Sequence, residues 1–143
     1  LPAILFQHIP VQQELNGFKE VTKDDEYTFE RDGNYYYLAN TIHEGRVREV
    51  PCPPNMEKDY TNQLESWKKM GDVFAAFFGH DHVNDFGAMH KNILLSYIQP
   101  SGYGVYNMES KFDSPENEWI QGCTLLNIQS DGTCISERIY NHK

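Results

Sequence analysis

Apolar residues in this chain fall in short, sharply bounded runs. Val73-Phe-Ala-Ala-Phe-Phe78 is closed off by Gly79, and a run of that length with bulky aromatics fits a buried strand better than a helix. Ala3-Ile-Leu-Phe6 and Ile93-Leu-Leu-Ser-Tyr-Ile98 have the same character. Between residues 55 and 70 the period changes: Met56, Tyr60, Leu64, Trp67 and Met70 form one stripe at helical spacing. Lys68 and Lys69 sit in the last turn and Gly71 just beyond, so this segment is expected as an amphipathic helix covering a sheet. Two hairpins are predicted, one joining Tyr27-Thr-Phe29 to Tyr35-Tyr-Tyr-Leu38 through Asp32-Gly33-Asn34. The other joins 123–128 to 133–140 through Ser130-Asp-Gly132. Residues 11–20 are mixed and polar, 22–32 are acidic, and about 20–50 reads as a variable surface insertion. The order is strand, insertion, helix, strand, strand, hairpin, which is an α/β chain.

At 143 residues there is room for one domain with a real core. The balance of 21 acidic against 12 basic residues, net charge -9, argues against a general nucleic-acid or membrane-surface binder. It leaves room for anionic small substrates, because a bound divalent cation inverts the local field. Cys52, Cys123 and Cys134 are widely spaced and form neither a metal-binding pattern nor a disulfide framework, so they carry no signal about compartment. No apolar run reaches the length of a membrane span. The chain opens Leu1-Pro-Ala-Ile-Leu5 in mid-strand, without an initiator Met or a signal-peptide layout, as expected of a piece of something longer.

The chemistry gathers at strand ends. His80-Asp81-His82 follows the central run and its glycine, and in an extended segment His80 and His82 leave the chain on one face. Two imidazoles delivered to one point suit a first-row metal ion. His8 stands just past the first run, before Pro10. A histidine pair in a solvated loop with no ligand is the competing reading, and two ligands alone do not make a metal site.

Phe6-Gln-His-Ile-Pro10, Gly79-His80-Asp81-His82-Val-Asn84-Asp85 and Ser101-Gly-Tyr-Gly-Val-Tyr106 together resemble the calcineurin-like metallophosphoesterases, in the branch related to purple acid phosphatases. The resemblance implies the C-terminal half of a four-layer α/β/β/α sandwich, with residues 1–143 forming part of one such domain. It implies a dinuclear centre of two Mn, Fe or Zn ions, with His8 and His80 on one ion and His82 on the other, hydrolysing a phosphate ester. Asn84, Asp85 and Tyr103 are placed by it near the substrate mouth. The family's upstream motifs of the types Asp-x-His, Gly-Asp-x-x-Asp and Gly-Asn-His have no counterpart in this chain. Its Arg-Gly-x-Arg reads here as Gln121-Gly-Cys-Thr124. Two expectations follow: a phosphoesterase complete only with an N-terminal half as partner, this chain alone being inactive, or a non-catalytic interaction module that keeps the fold.

Overall fold

The structure, a computed structural model, describes residues 1–40, 45–51, 63–102 and 121–140. Its centre is a sheet of four strands: β1 (Ala3–Gln7), β5 (Val73–Phe78), β7 (Ile93–Tyr97) and β6 (Gly87–His90), in the order β1-β5-β7-β6. β1, β5 and β7 run parallel and β6 returns antiparallel. The expected runs are therefore strands, and β5 is central because both of its faces are apolar.

Alternation sorts those faces. Ala76, Phe78, Leu95 and Tyr97 point into the larger core cluster, together with Leu5 of β1. Ala75, Phe77 and Leu94 point to the other side, where Ile4 and Leu126 pack on them. On the first face lies helix α1 (Gln63–Met70), with Leu64 and Trp67 buried as the stripe predicts. Met70 departs from the stripe and is 73% exposed. The helix ends one residue later: Gly71, at φ +73, donates its N–H to the Trp67 carbonyl at 2.9 Å, a left-handed conformation that glycine adopts without penalty. Met56 and Tyr60, the start of the predicted helix, lie outside the described residues.

The same face carries a sheet of three strands, β2 (Phe18–Val21), β4 (Asn34–Leu38) and β3 (Phe29–Arg31), in the order β2-β4-β3. Its β3–β4 hairpin turns at Asp32 and Gly33, both at positive φ, as the turn signal requires. The segment expected as surface insertion is thus joined to the core. Phe18 meets Phe29 and Phe86 edge-on at 4.9 and 5.3 Å between centroids.

The predicted C-terminal hairpin is present as β8 (Gly122–Ile128) and β9 (Cys134–Tyr140), and through Leu126 it covers the second face of the main sheet. β6 has no counterpart among the expected elements. Gly-Ala-Met-His carries little strand propensity, and the β6–β7 turn uses Lys91 and Asn92 at φ 48 and 68 in place of the usual Asn-Gly. Among the described residues no helix is long and apolar enough to cross a membrane.

Candidate metal centre

β1 and β5 are neighbours and parallel, in register from Leu5 opposite Ala76 to Gln7 opposite Phe78. Their C-terminal ends therefore release His8 and Gly79-His80 at the same edge of the sheet, the position where open α/β sheets gather ligands. The two imidazoles meet edge-to-face, with ring centroids 5.5 Å apart and planes at 87°. A side chain at Gly79 would come within 3.1 Å of His8 Nδ1, so glycine leaves room for that ring. On the far side of His8, the Gln7 carboxamide donates to the Ile9 carbonyl at 2.7 Å. It also accepts from Gln63 Nε2 at 2.6 Å, tying the end of β1 to α1.

His80 is not in extended backbone. Its φ is +76, and Asp81 N–H donates to the Gly79 carbonyl at 3.0 Å across it. That is a γ-turn of the rare, strained hand. The strand alternation expected for His80 and His82 therefore ends at Phe78, and the turn, not the pleat, aims His80. A non-glycine residue held at such φ costs about 1–2 kcal/mol and survives where its surroundings over-determine it. His82 follows two residues on and is half-buried.

Behind these histidines stands a buried polar network. Asp81 is 6% exposed, and its carboxylate accepts from Asn84 Nδ2 at 2.7 Å, a brace that spans His82 and Val83. Asn84 and Asp85 are fully buried and engaged with protein groups. Asn84 Oδ1 accepts from the N–H groups of Arg48 and Glu49 at 2.8 and 3.2 Å, and its Nδ2 also donates to the Glu49 carbonyl at 3.1 Å. Asp85 Oδ1 accepts from Arg46 N–H and from Arg48 Nη1, both at 2.7 Å, and Oδ2 accepts from the Tyr140 hydroxyl at 2.7 Å. Tyr103 lies outside the described residues.

Two features of this neighbourhood escape the sequence reading. Glu14 is buried beside the loop, 1% exposed. Burial pushes its pKa well above the usual carboxyl range, and the charge of Asp81 raises it further. The neighbouring Tyr97 hydroxyl opposes this. The other is the 45–49 segment, whose charged residues read as solvent-facing. Its backbone N–H and carbonyl groups, which no side-chain pattern reports, make most of the contacts to Asn84 and Asp85.

The donor set fits part of a metal centre. Neighbouring imidazoles on rigid strand ends are apt ligands for a first-row ion. Among the described residues no group of three or more His, Cys, Asp or Glu side chains is placed to hold one.

Two proteins of Arabidopsis thaliana are similar to this chain. "Probable inactive purple acid phosphatase 28" is 46% identical over 73 residues, covering 44% of this chain and 18% of that protein. "Probable inactive purple acid phosphatase 14" is 30% identical over 105 residues, covering 73% of this chain and 20% of that protein. The chain thus spans about a fifth of the length of the relatives it matches. No family model and no solved structure matches it. With the ordered histidine motifs on adjoining strand ends and two relatives of one kind, the chain belongs to the purple-acid-phosphatase-related branch of the calcineurin-like metallophosphoesterases.

Proposed function

We propose that this chain is the histidine-bearing portion of a metal-dependent phosphoesterase domain, the C-terminal half of an α/β/β/α sandwich that hydrolyses a phosphomonoester. The observation that carries the reading is the meeting of His8 and His80 at the ends of two adjacent parallel strands, 5.5 Å between ring centroids, with His80 held in a strained turn. His8 and His80 hold one of two Mn, Fe or Zn ions and His82 the other. The bridging and remaining carboxylate ligands come from an N-terminal half of the same domain. When bound, such a pair supplies Lewis-acid clamping of the ester and an activated water for in-line attack. The chain's own residues fix the imidazoles: Gly79 makes room for His8, the γ-turn aims His80, and the Asp81–Asn84 brace spans His82. Tyr103 is assigned to the substrate mouth by the family resemblance of its glycine loop alone. Asn84 and Asp85 shape that mouth from behind, by setting the loop.

A second reading is a non-catalytic binding module that kept the fold. The names of both relatives, which call them probably inactive, favour it. Hydrolysis of p-nitrophenyl phosphate by the full-length protein, assayed with Mn, Fe or Zn supplied, separates the two. Turnover that falls at least 100-fold in His82→Ala supports the phosphoesterase, a loss on the scale of a group acting in the transition state. Metal bound without turnover supports the module.

A further inference from the structure

Beyond the histidines, the 45–49 segment packs against the same loop. Gly45 lies so tightly on the chain that a Cβ there would overlap the Asp85 carbonyl at 2.2 Å. Val47 packs against the main core cluster. Asp85 N–H donates to the Arg46 carbonyl at 3.2 Å, answering the Arg46 N–H that donates to the Asp85 carboxylate. Arg48 is the pivot. Its side chain is 8% exposed, and Nη1 donates both to Asp85 Oδ1 at 2.7 Å and to the Val83 carbonyl at 3.0 Å. Val83 is the residue directly after His82.

We propose that residues 45–49 are a positioning arm for the His80-Asp81-His82 loop, with Arg48 and Asp85 as its lock. The arm fixes the Val83–Asn84 peptide, one residue beyond His82, through Arg48 on the Val83 carbonyl. It also fixes the far end of the Asp81–Asn84 brace, through Asn84 Oδ1 on two arm N–H groups. Tyr140 extends the lock to the C-terminal hairpin, so two distant stretches of chain converge on one carboxylate. A metal site held this way is rigid at its outer partners, and changing such partners weakens metal binding roughly 10–100-fold. The consequence for metal rests on the reading that His80 and His82 are ligands; the consequence for loop order does not.

The test uses the full-length protein carrying Arg48→Met together with Asp85→Leu. Removing both buried charges at once avoids an uncompensated ion, so the fold is retained while the lock is lost. Cobalt(II) affinity and its d–d absorption are measured beside amide exchange of residues 81–85. The expected result is cobalt affinity roughly 10–100-fold lower, an altered absorption band, and faster exchange in the loop at near-native resistance to urea. Wild-type affinity, spectrum and exchange in the double variant would overturn the proposal. If the unsubstituted protein binds no cobalt, the metal reading of the site fails, and exchange alone then decides: faster exchange supports the arm and unchanged exchange overturns it.

Discussion

His80 offers a way to weigh strain against function at a single residue. The perturbation is a pair of variants, His80→Gly and His80→Ala, that remove the same imidazole and differ only in Cβ. At φ +76 with the Gly79–Asp81 hydrogen bond closed across it, residue 80 costs about 1–2 kcal/mol if it carries a Cβ and nothing comparable if it is glycine. At an ordinary position glycine is instead worse than alanine by roughly 0.5–1 kcal/mol, because the unfolded chain has more freedom to lose. Subtracting the second from the first leaves His80→Gly more stable than His80→Ala by about 0.5–1 kcal/mol. The assay is urea unfolding of the two variants side by side, comparing midpoints at unchanged slope. An alanine variant as stable as the glycine variant, or more so, refutes the strained turn and with it the claim that the turn aims His80. The expected sign also has a functional meaning. A protein that holds a histidine where glycine is more stable retains it for the ring.

Three further outcomes follow from the network behind the loop. Folded Glu14 keeps its proton to higher pH than the unfolded chain, whose carboxyl ionises near 4.5, so its burial costs stability progressively as pH rises above that value and costs none below it. Glu14→Gln should therefore stabilise the protein at neutral pH, by an amount that shrinks toward zero as pH falls through 4.5; a gain that does not change with pH contradicts this. Tyr140→Phe deletes the hydroxyl that donates to the buried Asp85 carboxylate at 2.7 Å, and should cost about 1.5–3 kcal/mol in denaturant midpoints, as hydrogen bonds to charged groups do. A loss under about 0.5 kcal/mol would mean the bond is made to water instead. His90 lies at the end of β6, in the strand that reverses at Lys91 and Asn92, so His90→Ala should leave metal content unchanged while His82→Ala lowers it. Equal losses from both would mean that fold stability, not ligation, is being read.

The elements legible from sequence were those whose signal is local. β5, β1 and β7 announce themselves as bounded apolar runs, α1 by the spacing of Leu64 and Trp67, and the terminal hairpin by Ser130-Asp-Gly132. The histidines were legible as a motif at strand ends, and the structure brings His8 against His80 as parallel pairing of β1 and β5 dictates. What escaped rests on backbone groups and long-range closure. β6 is built from Gly87, Ala88, Met89 and His90, whose types say little about strands. The γ-turn falls on a histidine, where no residue preference flags positive φ. Arg46, Arg48 and Glu49 look solvent-facing, yet most of the arm's contacts to Asn84 and Asp85 use main-chain N–H and carbonyl groups, which residue type does not report. Burial of Asn84 and Asp85 is likewise invisible in a polar pair that closely follows two histidines.

The measurement that bears most directly on the central claim is the transition-metal content of the full-length protein, purified without added metal and again after His80→Ala. Two ions per chain, with loss of at least one in the variant, is the result this account predicts. Absence of Mn, Fe and Zn from the unsubstituted protein, even after incubation with each, would contradict it.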